Sequence, residues 1–252
     1  TGSLVSFLPF MPALAAHAHV YALDLPGHGL SGRTPDAYQL PDYGRTVTEF
    51  VQTVIGQPTI IVGHSMGALV AAWVAGHAPD DVDGIFLEDP PIYLTQFPRF
   101  KETGFYAYFL HLLEDLIAHH ARHGTLADMV DYVSQAPVNE KGQTLMEIGG
   151  PERVQERAQQ LHQLDPQTLV PAVDGTLMGD EEPDALLARV RCPVRLLAAD
   201  WDAGGALDAQ DVERAVANLD RCEVIAFPGA GHSLHRERAT EYGETLLAFV
   251  AE

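Results

Sequence analysis

The sequence is poor in cysteine and in basic residues. Its 252 residues include two cysteines, Cys192 and Cys222, and 15 lysines and arginines against 35 aspartates and glutamates. Two cysteines are too few for a disulfide scaffold or for a metal site built from thiolates, so we expect free thiols. A formal charge of −20 repels nucleic acid and anionic lipid, and we expect neither nucleic acid nor a membrane as a partner. Strongly anionic substrates are disfavoured as well, unless a local basic patch offsets this charge.

Long apolar runs are missing too. No stretch reaches the length of a membrane span, and no N-terminal segment has the pattern of a signal peptide, which favours a cytoplasmic location. With 46% hydrophobic residues, the chain can bury one substantial core and still accommodate an inserted subdomain. The oligomeric state stays open, a homodimer being one alternative.

The most informative segment covers residues 59–73. The apolar run Ile60–Val62 predicts a buried parallel strand, and the alanine-rich stretch after Met66 predicts a helix. The turn between them has the sequence Gly63-His64-Ser65-Met66-Gly67. We expect both glycines to avoid Cβ clashes where strand and helix approach, and Ser65 to occupy a strained corner with its hydroxyl above the sheet. The GxSxG pattern alone is weak, because an ordinary turn serine also fits it; the strand before and the helix after favour a nucleophile.

Alternating strands and helices predict an α/β fold, a mostly parallel sheet flanked by helices. Strands are predicted over His19–Leu25, Ile60–Val62, Asp83–Asp89, Pro193–Ala199 and Glu223–Phe227. Helical spacing over Asp42–Ile55 predicts a helix with Asp42 as its N-cap. Between Ile92 and Ala188 the sequence predicts helices alone, which indicates an inserted helical subdomain. The predicted organisation is core residues 1–91, a helical cap over 92–188, and core residues 189–252.

A serine nucleophile requires a general base, and the base requires a carboxylate that fixes its tautomer. Parallel strands bring such groups together, since their carboxyl ends meet at one sheet edge. Ser65, Asp202 and His232 occur in this order after predicted strands, and we assign them as nucleophile, acid and base. Asp200 and then Asp89 are the alternatives for the acid, and His235 is the alternative for the base. No metal is expected, because the neighbouring histidines at 119, 120 and 123 would point to different faces of a helix.

These motifs resemble those of the α/β-hydrolases. Residues 63–67 resemble the nucleophile elbow, Asp24-Leu25-Pro26-Gly27-His28-Gly29 resembles the loop after the fourth strand, and Gly229-Ala230-Gly231-His232-Ser233 resembles the histidine loop. The insertion takes the place of the family's cap domain. The resemblance implies a serine hydrolase that needs no cofactor, with the Met66 N–H as one oxyanion donor. The family usually places its acid after the strand that comes next after the cap, which favours Asp202; some members use the position of Asp89.

One departure from the family concerns the N-terminal end. In the family, the third strand lies between the fourth and fifth strands and ends in a His-Gly segment, and Thr1-Gly2-Ser3 resembles the residues just after that segment. We therefore expect the first three strands to be missing from this chain, since a sheet without its central strand would leave backbone groups unpaired. The second oxyanion donor would lie near Thr1 or upstream.

The expected activity is hydrolysis of an ester, lactone or related carbonyl substrate of small apolar type through an acyl-enzyme. Candidate substrate contacts are His64, Ile92, Tyr93, Phe105 and Phe109. The same triad would also serve carbon–carbon bond hydrolysis or cofactor-free perhydrolysis. From a different class, a non-catalytic receptor for a small ligand on this fold is the alternative. Epoxide and haloalkane hydrolysis are disfavoured, because relatives with that chemistry carry aspartate at the elbow.

Overall fold

A computed structural model of the protein describes residues 1–138 and 142–252. The described residues form two compact units. The first unit consists of Thr1–Leu8, Ala22–Tyr38 and Thr103–Asp174, and the second consists of Pro9–Tyr21, Gln39–Glu102 and Gly175–Glu252. The cap boundaries at 92 and 188 stay a prediction. Within the described ranges, no helix has both the length and the apolar character that crossing a membrane requires.

Four strands and eleven α-helices make up the regular structure of the described residues. The strands are β1 (Thr59–His64), β2 (Val82–Glu88), β3 (Val194–Ala199) and β4 (Cys222–Phe227). The helices are α1 (Met11–Leu14), α2 (Leu40–Phe50), α3 (Met66–His77), α4 (Gly104–Ala121), α5 (Leu126–Gln135), α6 (Leu145–Gln163), α7 (Val170–Asp174), α8 (Pro183–Leu187), α9 (Ala209–Ala217), α10 (Leu234–Glu237) and α11 (Ala239–Val250). A π-helical turn, Val51–Ile55, extends α2, and short 3₁₀ turns cover Leu4–Phe7, Pro79–Asp81, Arg99–Glu102, Pro166–Leu169 and Trp201–Ala203.

The second unit is built on a parallel sheet in which β1, β2, β3 and β4 lie side by side in chain order. One row of the register runs across all four strands through Gly63, Leu87, Leu196 and Val224. Because the strands are parallel, their carboxyl ends reach the same edge, where β1 leads into Ser65. The predicted parallel sheet flanked by helices is confirmed.

The predicted strand over His19–Leu25 is wrong. The segment has no regular secondary structure, and Tyr21 and Leu23 expose 47% and 38% of their surface. A strand is stable only where a neighbour accepts and donates its backbone hydrogen bonds. Within the described residues, β1 pairs with β2 alone, and the sheet contains no strand from this segment.

Helices cover the sheet through apolar contacts. On β2, the successive same-face positions Gly84 and Phe86 meet α11: a Cβ on Gly84 would lie 3.0 Å from the Phe249 ring, and the Phe86 and Phe249 ring centroids are 5.8 Å apart. Helix α3 is apolar on nearly all sides, and its residues from Ala68 to Gly76 are buried. Such a helix is typical of a core position between a sheet and further helices. Both cysteines are free thiols, as expected.

Helix α2 begins earlier than predicted. Gln39 is its N-cap, and Asp42 is the third helical residue, whose carboxylate accepts a hydrogen bond from the Gln39 N–H at 2.9 Å. This reciprocal capping box satisfies backbone donors that a helix start leaves unpaired. The prediction of Asp42 as the N-cap is therefore wrong by one turn.

The first unit contains the helices α4 to α7. Threonines cap three of these helices, since the side chains of Thr103, Thr125 and Thr144 each accept a backbone N–H of the first turn. Its apolar core joins faces of α4, α5 and α6 and the turn before α7. The core residues are Leu112, Leu116, Met129, Val133, Val154, Ala158, Leu161, Leu164 and Leu169.

Candidate active site

Ser65 occupies a strained corner between β1 and α3. Its backbone lies at φ 54° and ψ −122°, a region that residues other than glycine rarely adopt, and its N–H donates to the carbonyl oxygen of Glu88 at 2.9 Å. A Cβ on Gly63 would lie 2.2 Å from the Gly67 carbonyl oxygen, so only glycine fits there. The matching prediction for Gly67 is wrong, because, apart from its chain neighbours and its own helix backbone, no heavy atom of the described residues lies within 4 Å of a Cβ at that position. The close approach thus restricts one glycine of the turn.

The first turn of α3 comes directly after Ser65. The Ser65 carbonyl accepts hydrogen bonds from Ala68 and Leu69 at 2.9 and 3.2 Å, which leaves the N–H groups of Met66 and Gly67 without an intrahelical acceptor by helix geometry. Such groups, together with the helix dipole, favour an anion at this end. The assignment of the Met66 N–H as an oxyanion donor stays a prediction.

Asp89 and His232 form a close pair. The Nδ1 atom of His232 lies 2.6 Å from Oδ2 of Asp89, whose side chain is fully buried. Two backbone N–H groups also donate to this carboxylate, Ala206 to Oδ2 at 2.8 Å and Ala199 to Oδ1 at 3.2 Å. An ionised carboxylate only accepts hydrogen bonds, so Nδ1 carries the proton in this pair. Nε2 of His232 is then the nitrogen that can accept a proton.

The prediction that Asp202 is the carboxylate partner of His232 is wrong. Asp202 is exposed in the 3₁₀ turn after β3, and its N–H donates to Oδ1 of Asp200 at 3.0 Å. Asp200, the first alternative, uses its other oxygen to accept the Gly229 N–H at 2.8 Å. Asp200 therefore links the loop after β4 to the turn after β3 through hydrogen bonds. Asp89, the second alternative, is the carboxylate that contacts His232, and it comes directly after β2, the strand that pairs with β1.

A second carboxylate and two further histidines lie behind this pair, and we call Glu88, His235 and His64 the inner trio. Glu88 is fully buried, and its carboxylate accepts from the His235 N–H at 2.9 Å and from His235 Nδ1 at 2.8 Å. Burial by itself would raise the pKa of Glu88, but the His64 and His235 rings hold it below its ordinary value of 4.5. His235 was the alternative base, and its contact is with Glu88 rather than Asp89.

His64 links the elbow to the histidine loop. Its Nε2 lies 2.8 Å from the carbonyl oxygen of His232, and its ring centroid is 4.7 Å from the His232 ring and 5.0 Å from the His235 ring. Burial lowers the pKa of His64 to about 3, and this effect exceeds the attraction of Glu88 for the charged ring. The ring is therefore neutral near pH 7, with its proton on Nε2. A contact of His64 with substrate stays a prediction.

Among the described residues, the inner trio is the one group whose donor atoms lie close enough to hold a metal ion, all within 4.8 Å of one another. Both carboxylate oxygens of Glu88 already accept hydrogen bonds from His235, at 2.8 and 3.0 Å from Nδ1. We therefore assign these three side chains to hydrogen bonding. Sequence reasoning did not identify Glu88 as a residue of the site. The signal that could have found it is the pair of adjacent carboxylates, Glu88 and Asp89, directly after the apolar run Ile85–Leu87.

The other predicted substrate contacts are divided between the two units. In the second unit, Ile92 and Tyr93 are each 2% exposed, and the Tyr93 hydroxyl donates to Asp184 at 2.9 Å while the Arg214 guanidinium lies over its ring. Tyr93 is thus engaged by protein groups. Phe105 and Phe109 lie on α4 of the first unit, where Phe109 packs against the apolar core. For all four, substrate contact stays a prediction.

Comparisons with known proteins indicate the family of this chain. Residues 2–245 match the alpha/beta hydrolase family. A segment of 86 residues is 40% identical to the dihydrolipoyllysine-residue acetyltransferase component of the acetoin cleaving system of Pseudomonas putida, covering 34% of this chain and 23% of that protein. A segment of 75 residues is 35% identical to the (E)-2-((N-methylformamido)methylene)succinate hydrolase of Acinetobacter baylyi, covering 30% of this chain and 28% of the relative. The matches thus span about a quarter of each relative's length.

A solved structure extends the likeness over the whole chain. The enol-lactonase from Burkholderia xenovorans LB400 superimposes with a TM-score of 0.73 over 100% of this chain and 88% of that chain, at 16% identity. At this identity the likeness concerns the fold. The parallel sheet, the serine corner after β1 and the family match over nearly all residues lead to one conclusion: this chain belongs to the alpha/beta hydrolase family.

Proposed function

We propose that this protein is a serine hydrolase with Ser65 as nucleophile, His232 as general base and Asp89 as the carboxylate that orients the base. The observation that carries the proposal is the 2.6 Å contact between His232 Nδ1 and the buried Asp89, and Ser65 has the strained backbone expected of a nucleophile. His64, the residue before Ser65, contacts the His232 backbone, which supports a location of the serine beside that imidazole.

In the proposed reaction, Nε2 of His232 takes the proton of the Ser65 hydroxyl while Oγ attacks the carbonyl carbon of the substrate. Asp89 stabilises the imidazolium that results, and the Met66 N–H donates to the oxyanion of the tetrahedral intermediate. When the intermediate collapses, His232 returns the proton to the leaving group and an acyl-enzyme remains. Water then attacks the acyl carbon and gives its proton to His232. The acid leaves as the proton returns to Ser65 Oγ.

Uncharged small esters and lactones are the substrates we propose. A net charge of −20 opposes the approach of anions, and several guanidinium groups of the second unit are paired with carboxylates, Arg99 with Asp211 at 2.6 Å for example. The name of the enol-lactonase of similar fold agrees with a lactone substrate. The name of the succinate hydrolase relative indicates an anionic substrate instead, so the two classes need a direct comparison.

The deciding experiment is hydrolysis by the Ser65→Ala variant. We expect turnover of a short-chain p-nitrophenyl ester to fall at least about 10⁴-fold, with Ser134→Ala, on α5 of the first unit, as a matched control that keeps full activity. Labelling by a fluorophosphonate, located by peptide mass spectrometry, should modify Ser65 in the wild type. Activity of Ser65→Ala within tenfold of wild type would exclude the serine mechanism.

A substrate panel tests the chemical class separately. It contains a p-nitrophenyl ester, a small lactone and an acylaminomethylene succinate. Faster turnover of the succinate than of the neutral compounds would overturn the proposed substrate class and leave the role of Ser65 intact. Absence of turnover throughout, with tight binding of a small molecule, would favour the receptor alternative.

A further inference from the structure

Each member of the inner trio is a close sequence neighbour of a proposed triad residue. His64 precedes Ser65, Glu88 precedes Asp89, and His235 lies three residues after His232. None of the three takes part in the proposed proton transfers. Their donor atoms nevertheless gather within 4.8 Å, and buried polar groups are retained at a cost unless they are hydrogen-bonded.

The Glu88–His235 pair fixes the chain just after His232. Glu88 is the last residue of β2, and its carboxylate accepts both the backbone N–H and the ring Nδ1 of His235, in the first turn of α10. The side chains are 0% and 3% exposed, so water does not compete for these hydrogen bonds. The strand that presents Asp89 therefore also holds the helix that comes after the histidine loop.

His64 fixes the same loop from the other strand. It is the last residue of β1, and its Nε2–H donates to the His232 carbonyl at 2.8 Å. Its ring is close to the rings of both His232 and His235, with centroid distances of 4.7 and 5.0 Å. The backbone of His232 is thus tied to the strand that presents Ser65.

We propose that His64 is a positioning residue, which sets the His232 imidazole against Ser65 and Asp89 and lies next to the buried Glu88–His235 pair. The inference rests on the proposed function, since it assigns a residue that positions the general base of the same site. Hydrogen bonds from the ends of β1 and β2 reach the histidine loop at the His232 carbonyl and at His235. A displacement of about 1 Å at a reacting group can lower a rate about 100-fold, so these contacts bear directly on turnover.

The first test compares His64→Gln with His64→Leu. Glutamine carries a donor at the reach of Nε2, while leucine fills similar volume without a donor. We expect His64→Leu to lower kcat for a p-nitrophenyl ester by about 10- to 100-fold with KM within about threefold of wild type, and His64→Gln to recover most of kcat. The matched control is His17→Leu, an exposed histidine, with unchanged kinetics. Equal kcat in His64→Leu and wild type, or equal losses in both folded His64 variants, would overturn the proposal.

A second measurement does not depend on turnover. The Nδ1 proton shared by His232 and Asp89 should give a downfield NMR resonance, assigned by its loss in His232→Gln. We expect this resonance in wild type and His64→Gln, and its loss through exchange with water in His64→Leu. An unchanged resonance in His64→Leu would refute the positioning role. If the wild type hydrolyses no ester, the proposed function fails, but this spectrum still decides the role of His64.

Folding is checked by thermal unfolding of every variant. If His64→Leu does not fold, His64→Asn takes its place, because the asparagine amide is one methylene shorter than that of glutamine and does not reach the His232 carbonyl. We expect His64→Asn to lose the resonance and to show the lowered kcat, and His64→Gln to keep the resonance and most of kcat.

Discussion

Two carboxylate–histidine pairs lie next to each other in this protein, and they differ in exposure. Asp89 pairs with His232 and Glu88 pairs with His235, with Nδ1–oxygen distances of 2.6 and 2.8 Å. Both carboxylates are fully buried, but the His232 side chain is 22% exposed and the His235 side chain 3%. Both pairs join a carboxylate to an imidazole, but the His232 imidazole is more accessible to water than the His235 imidazole.

This difference separates a pair suited to proton transfer from a pair suited to holding the fold. A general base has to reach the reacting group, and the partly exposed His232 imidazole satisfies that condition. His235 is enclosed and accompanied by a backbone hydrogen bond from its own N–H to Glu88, which fixes α10. Four changes test the contrast, in order of decreasing expected effect.

Asparagine at position 89 should have the largest effect. The Asp89→Asn amide can donate to His232 and so favour the wrong tautomer, and we expect kcat to fall about 10⁴-fold, as for the corresponding change in serine proteases. Asp202→Asn is the matched control, since Asp202 is exposed and contacts Asp200 rather than His232. Steady-state ester hydrolysis measures both. A large loss of kcat in Asp202→Asn together with a normal kcat in Asp89→Asn would show that Asp202, and not Asp89, is the carboxylate of the triad.

Removal of the inner carboxylate should act on stability. Glu88→Ala leaves His235 buried without its acceptor, and we expect the free energy of unfolding in urea to fall by about 3–5 kcal/mol. Glu244→Ala, an exposed carboxylate on α11, should change it little. The double variant Glu88→Leu/His235→Leu should recover part of the loss, because it removes the buried imidazole together with its acceptor, although the backbone N–H of residue 235 still loses Glu88. A change below about 1 kcal/mol in Glu88→Ala would contradict a structural pair.

Acid should weaken the fold through the inner trio. The pKa of His64 is about 3 in the folded protein and 6.5 ordinarily. Because the unfolded chain binds a proton at His64 more readily, the free energy of unfolding is highest above about pH 6.5 and falls as the pH drops toward 3. The lowered pKa of Glu88 adds a loss below about pH 4.5. Each group changes the free energy of unfolding by at most about 1.4 kcal/mol per pH unit.

Urea unfolding at pH 4.5, 5.5 and 6.5 measures this dependence. The His64→Gln variant should show a flatter slope over that interval, because glutamine does not titrate. The same slope in variant and wild type would mean that His64 is not held neutral by the fold.

Exchange of the imidazole C2 hydrogen for deuterium should give the smallest difference. We expect slower exchange at His235 than at His232 because of its enclosure, and peptide mass spectrometry resolves the two if proteolysis cuts between them. His17, which is exposed, provides the reference for an unprotected ring. Equal exchange rates at His232 and His235 would contradict the difference in solvent exposure between the two imidazoles.

The amino-acid pattern was enough to predict the strands β1 to β4 and the serine corner. Short apolar runs bounded by turn residues are typical of strands, and Gly63 has to lack a side chain because the Gly67 carbonyl would lie 2.2 Å from its Cβ. The prediction that the run Ile60–Val62 is buried is wrong, because its three residues are half-buried. The same reasoning was wrong for Gly67, whose Cβ direction is open, and for residues 19–25. An apolar run predicts a strand only if a partner strand is available, and local pattern does not contain that information.

The amino-acid pattern did not identify the carboxylate that contacts His232, nor the inner trio next to it. Asp202, Asp200 and Asp89 all come after strands that end at one edge, and spacing along the chain does not rank them. The turn after β3 directs Asp200 toward the backbone N–H groups of Asp202 and Gly229, while Asp89 at the end of β2 reaches His232. Hydrogen bonds between residues 143 positions apart depend on how strands and loops converge in space, and that convergence is a property of the packed fold.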